Sequence, residues 1–138
     1  SASIRNSAFL KNDAQEGLGG AVMADSDPTP ATVFSEGNLY IENLGRVTSG
    51  TLHFHQSFVS SRCDGFYANR AAAPVDGDGG DPEMEDMLVV PEAEDPGFCN
   101  LPAEDVHLEE DSPFVSKMCP RGPYPPGCKP RRFSRSSF

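Results

Sequence analysis

The sequence predicts an all-β chain whose first half is a solenoid of short coils, and three observations carry that prediction. An aromatic residue, two arbitrary residues, an asparagine, one further residue and a small residue recur three times, as FLKNDA, YIENLG and FYANRA. Short runs of β-branched and aromatic residues lie between the copies, bounded by Gly, Pro, Asn and Asp, which is the composition of strands separated by turns. Charge divides the chain into a mixed first part over residues 1–75, an acidic stretch over 76–111 and a basic tail over 112–138.

The repeat aligns Phe9, Tyr40 and Phe66 at one position, Asn12, Asn43 and Asn69 at the next, and Ala14, Gly45 and Ala71 at a third. The spacing is 31 residues and then 26, and the excess of the first interval is assigned to an outward loop at Asp25–Pro30, reading DSDPTP. Glycines follow each copy, at Gly19 and Gly20, at Gly50, and at Gly79 and Gly80. Periods of this length with strand-like runs point to one coil per repeat. Strands are expected over Thr32–Phe34, Leu39–Ile41 and Thr51–Val59. Alternation in TLHFHQ sends Leu52 and Phe54 to the core and His53 and His55 to the opposite face. The aromatics are expected to stack from coil to coil, and each Asn to bond local backbone and stack on its equivalent.

Residues 4–22, IRNSAFLKNDAQEGLGGAV, resemble the FxxN and GGA[ILV] repeat of right-handed parallel β-helix proteins, notably polymorphic outer-membrane-protein-type adhesins. Phe9 and Asn12 fill the FxxN positions, and Gly19, Gly20, Ala21 and Val22 fill GGA[ILV]; later copies keep the aromatic and Asn but lose GGA. The resemblance covers about the first half of the chain. It implies a partial right-handed parallel β-helix of about three coils, with pectin-lyase-like architecture, extracellular or cell-surface display, and adhesion. Three coils are few for a solenoid, and with Ser1 in place of Met this suggests the terminal end of a longer β-helix.

Residues 76–111 hold 14 acidic groups, no Lys or Arg, and four prolines, so the expectation is a mostly disordered linker. The tail, with Pro123, Pro125, Pro126, Arg131, Arg132 and Arg135, is expected to touch that linker only loosely. The formal net charge of −10 opposes nucleic-acid binding. The longest aliphatic run, Met87–Val90, is far short of a membrane span. No N-glycosylation sequon is present. RRFS at 131–134 resembles a basophilic kinase site, an occurrence that chance explains.

Cys63, Cys99, Cys119 and Cys128 admit three pairings, and their even number suits an oxidising compartment. MCPRGPYPPGC is similar to loops of small extracellular disulfide modules such as ephrin-receptor-like repeats, in which a Cys pair closes a short loop. Proximity likewise favours Cys119 with Cys128, although the sequence leaves connectivity open. Zinc is disfavoured by the absence of a CxxC spacing. His53 and His55 share a strand face, but no third ligand is visible, so an exposed strand face is expected in place of a metal site. The run Asp76–Glu85 departs from an EF-hand loop and supports weak cation binding at most.

Polysaccharide lyases and hydrolases also use the β-helix, and their chemistry needs carboxylates with a basic partner on neighbouring strands. Asp25 and Asp27 lack a matching acid in later coils, and no nucleophile elbow, phosphate loop, dinucleotide fingerprint or zinc-peptidase motif occurs. The expectation is a noncatalytic surface scaffold without cofactor, whose partners are carbohydrate or a cell-surface protein and whose contact residues are Asp25, Asp27, His53 and His55. The alternatives are a remnant of a β-helix carbohydrate-active enzyme and a mostly disordered acidic interaction protein.

Overall fold

The computed structural model describes residues 1–14, 19–26, 29–45 and 50–128. Among them the chain is all-β, and its strands come in sets of three that we call tiers. The first tier holds β1 (Ala2–Arg5), β2 (Ala8–Leu10) and β3 (Val22–Asp25). The second holds β4 (Thr32–Glu36), β5 (Leu39–Ile41) and β6 (Gly50–His55), and the third β7 (Phe58–Arg62), β8 (Gly65–Tyr67) and β9 (Ala73–Asp78). A fourth begins with β10 (Glu83–Glu85) and β11 (Leu88–Val90). Strands β1 to β8 each pair in parallel with the one three elements later, giving the sheets β1-β4-β7-β10, β2-β5-β8-β11 and β3-β6-β9.

Local backbone chemistry breaks the run into short strands. Positive-φ residues recur at one corner of every tier, at Asn6, Gly37, Cys63 and Asp86, and at a second corner at Lys11, Glu42 and Ala68. Left-handed residues reverse direction without a long loop, and Asn, Asp and Gly occupy that region with least strain. Gln56, at φ 46°, ends β6, so the expected strand Thr51–Val59 is two strands meeting at a corner. The offset between equivalent residues is 31 between Ser7 and Asn38 and 26 between Asn38 and Asp64. It is 30 between Ser26 and Gln56, so most of the extra length of the first tier lies after β3, as the loop assignment expected. Asp25 itself is the last residue of β3, and residues 27–28 of that loop, Asp27 included, lie outside the described residues.

The repeat positions fall in register. Phe9 pairs with Tyr40 and Tyr40 with Phe66, and the rings stack at 5.0 and 5.1 Å. Asn12 Nδ2 donates to Asn43 Oδ1, and Asn43 Nδ2 to Asn69 Oδ1, both at 2.9 Å. Asn43 Nδ2 also donates to the Phe9 carbonyl and Asn69 Nδ2 to that of Tyr40, so the ladder satisfies backbone acceptors as it climbs. Gly20 is in line with Gly50, donating its N–H to the Gly50 carbonyl at 3.1 Å, and Gly50 pairs with Ala73. The third-tier equivalent is therefore Ala73, and Gly79 and Gly80 belong to the turn after β9. A second ladder, unread in the sequence, joins Ser7, Asn38 and Asp64: Asn38 Oδ1 accepts the Ser7 N–H at 2.9 Å, and Asp64 Oδ1 that of Asn38 at 2.8 Å. Buried Tyr40 hydroxyl and Ser35 Oγ lie 2.7 Å apart. Burial, aided by the charge of Asp64, pushes the Tyr40 phenol far above its ordinary value.

Residues 76–111, expected to be mostly disordered, carry ordered strands. They contain the end of β9, all of β10 and β11, and an antiparallel pair, β12 (Phe98–Asn100) and β13 (Asp105–Leu108), joined by a 3-10 turn. Composition misleads here because the acids face outward while Val90, Phe98 and Leu108 are buried with Leu39, Ile41 and Phe114 in a second core. This core lies against the side of sheet β2-β5-β8-β11 that faces away from the aromatic stack. Gly65 makes room for it: a Cβ there would sit 2.7 Å from the Phe114 ring.

The described part of the tail is likewise fastened. The disulfides are Cys63–Cys119 and Cys99–Cys128, which corrects the pairing of Cys119 with Cys128. Folding brings each tail cysteine to a partner far off in sequence, 56 residues away for Cys119 and 29 for Cys128. Cys119–Gly122 then meets the same corner in all four tiers. Asn6 Nδ2 donates to the Pro120 carbonyl at 3.3 Å, and the Gly122 N–H to the Gly37 carbonyl at 2.8 Å. Cys63 carries the disulfide, and Arg121 Nη2 donates to the Asp86 carbonyl at 2.9 Å. The tail is a brace across the tiers; Arg131, Arg132 and Arg135 lie outside the described residues.

Candidate functional site

Alternation along β6 places Leu52 and Phe54 in the core, and it sends His53 and His55 to the other face of sheet β3-β6-β9, as expected. Register then builds two ranks across that face. One is Met23, His53 and Asp76; the other is Asp25, His55 and Asp78. His53 Nδ1 lies 2.8 Å from Asp76 Oδ1 and His55 Nδ1 2.6 Å from Asp78 Oδ1. An ionised carboxylate only accepts, so in both pairs Nδ1 carries the proton and a neutral ring keeps Nε2 as its acceptor. Asp76 also accepts the Gly50 N–H, which fixes it against its neighbour strand.

The two ranks differ in access, so the exposed strand face expected for both histidines holds for His55 and is corrected for His53, which is buried. The His53 side chain is 10% exposed and that of His55 is 42% exposed, so the reachable groups are His55, Asp78 and Asp25, bordered by Ser26 Oγ and Gln56 Oε1, themselves 3.3 Å apart. Strands hold such groups more rigidly than loops. The arrangement offers donors and acceptors along a line, and an imidazole whose tautomer is set by its carboxylate.

The structure brings Asp25 and His55 together and places Asp27 outside the described residues. It also overturns the expectation that no later acid matches Asp25, because Asp78 occupies that position two strands away. Asp76 and Asp78 were missed as site residues because they read as part of an acidic run. The available signal was the recurrence of H-x-H at 53–55 as D-x-D at 76–78, at the 23-residue offset between β6 of the second tier and β9 of the third. The run Asp76–Glu85 is divided among partners: Asp76 and Asp78 serve the histidines, whereas Glu85 pairs with Arg62 at 3.0 Å. Among the described residues, the His, Cys, Asp and Glu groups close enough to share an ion are Cys63, Asp86 and Cys119, and both sulfurs are in one disulfide. The remaining histidine, His107, pairs with Asp105 at 2.6 Å and stacks on Tyr124, away from this face. No helix among the described residues is long and apolar enough to cross a membrane.

No family model matches the chain, and comparison with curated proteins and with solved structures found no significant similarity.

Proposed function

We propose that the chain is a noncatalytic, extracellular parallel β-helix scaffold that binds a hydroxyl-rich ligand, such as a surface carbohydrate, along the face of sheet β3-β6-β9. The observation that carries this reading is the rank Asp25, His55 and Asp78, a row of hydrogen-bonding groups held in register on paired strands. The three-sheet order and the aromatic and Asn ladders support the β-helix, together with the FxxN and GGA[ILV] resemblance. Two disulfides support an oxidising compartment. The test is a glycan array probed with the intact chain and with His55→Ala and Asp78→Asn variants. Selective binding lost in both variants supports the proposal, and binding that ignores both substitutions, or no binding, sinks it.

A second reading, a remnant of a carbohydrate-active enzyme, draws on the carboxylates that flank His55. Parallel strands lie about 4.8 Å apart, so Asp25 and Asp78, two strands apart, are separated by about 9.6 Å at the backbone, just beyond the carboxyl-to-carboxyl span of inverting glycosidases. Release of reducing ends from an acidic polysaccharide, abolished by Asp25→Asn, would select this reading over display.

A further inference from the structure

Both ends of the stack present strands that pair on one side only. Among the described residues β1, β2 and β3 have no partner below them, and β9, β10 and β11 none above. The core positions reveal the consequence. The inward rank Ile4, Ser35, Ser61 and Met84 is buried at Ser35 and Ser61 but 52% exposed at Met84. The rank Phe9, Tyr40, Phe66 and Val89 is buried at Tyr40 and Phe66 but 50% exposed at Val89. These apolar residues occupy core positions at an uncovered end, and β10 and β11 leave edge backbone groups beside them, a ready template for another strand.

An outward rank says what covers that end. Arg5, Glu36, Arg62 and Glu85 run across sheet β1-β4-β7-β10 with alternating sign, in contact at 3.6, 3.7 and 3.0 Å. The rank starts with a cation and ends with an anion. We propose that the fourth tier of one copy seats on the first tier of a second copy of this chain, β10 beside β1 and β11 beside β2, in continued parallel register. Met84 then covers Ile4, Val89 covers Phe9, and Glu85 meets Arg5 of the next copy, so that the alternation of charge continues unbroken. Among the described residues the brace runs along the side of the tiers and leaves Met84 and Val89 exposed. The third sheet is one strand shorter, so a gap one strand wide separates β9 from β3 of the next copy. The contact is heterologous and translates along the stack, so it propagates linearly instead of closing a symmetric dimer.

The test uses the full chain with native disulfides, in about 0.5 M salt so that the net charge of −10 is screened. Sedimentation velocity over a concentration series is expected to show mass rising past the dimer, and Val89→Lys to weaken association by at least about tenfold. Val89 is already exposed, so this substitution spares the fold. Register is tested separately by oxidising a mixture of Ser3→Cys and Glu83→Cys variants, since Ser3 and Glu83 end the rank that passes through Phe34 and Ser60. An intermolecular Ser3–Glu83 cross-link, located by peptide mass mapping and exceeding that of Ser3→Cys mixed with Glu94→Cys, supports the proposal. A chain that stays monomeric, an assembly indifferent to Val89→Lys, or cross-linking no greater than the control overturns it.

Discussion

Cys119 is bonded to Cys63, a left-handed corner residue of the third tier, and the next residues of the tail touch the equivalent corners of the other three tiers. A single covalent tie thereby sets the register of a brace that spans the stack. The bond joins residues 56 apart and the second disulfide residues 29 apart, so both restrict large loops of the unfolded chain. Cys63→Ser with Cys119→Ser, which removes one bond, is expected to cost about 2–5 kcal/mol, and reduction, which breaks both, to cost more. Urea unfolding with and without reductant measures this.

Gly37 is a corner that the brace crosses closely. It has φ 70°, and a Cβ there would lie 2.6 Å from the Pro120 carbonyl oxygen, a backbone atom with little room to yield. Gly37→Ala is expected to displace Pro120–Gly122, at a cost of about 1–3 kcal/mol. Hydrogen exchange should show protection lost at the Gly122 amide, while the amides of β5 and β8 stay protected. Equal loss in both places would mean that the brace and the tiers unfold as one unit.

Asn43 is the middle of its ladder, donating to the Phe9 carbonyl and to Asn69 Oδ1 and accepting from the backbone and side chain of Asn12. Asn43→Ala strands several of these half-buried groups and is expected to cost about 2–4 kcal/mol. Asn12, exposed at the end of the ladder, should cost under about 1 kcal/mol when replaced by Ala. Thermal melts of the two variants compare them directly.

Asp64 stands where the second tier has Asn38, and it is fully buried. Burial raises its carboxyl above the ordinary value, against hydrogen bonds from Ser61, Ser35 and Asn38 that lower it. The folded state then holds this proton more tightly than the unfolded state does. Its contribution to stability is present below the ordinary Asp value and falls as pH rises through the elevated one. Asp64→Asn should flatten that decline and stabilise the protein at neutral pH, because an amide can accept from Asn38 and donate to Ser61 in the same place. Melting temperature against pH for the two proteins tests it, and an unchanged slope would refute the assignment.

Much of the candidate site was legible before folding was considered. The alternation in TLHFHQ placed His53 and His55 together, because the two-residue period of a strand is a local property. The partners Asp76 and Asp78 were not legible, because which residue faces His55 depends on a register set by corner residues and tier lengths elsewhere. For the same reason the acidic run read as a linker: net charge is local, whereas the burial of Val90, Phe98 and Leu108 against Leu39 and Ile41 is not.

The sequence by itself determined the tiers: recurring Phe, Tyr and Asn mark positions whose stacking and hydrogen bonding need only an equivalent residue one tier away, so periodicity reveals them. Tertiary structure alone decided the brace, the cysteine pairing and the His–Asp ranks. The brace and the cysteine pairs join residues whose separation in sequence follows no period, and the His–Asp ranks join residues 23 apart, an offset that only the register of β6 and β9 fixes.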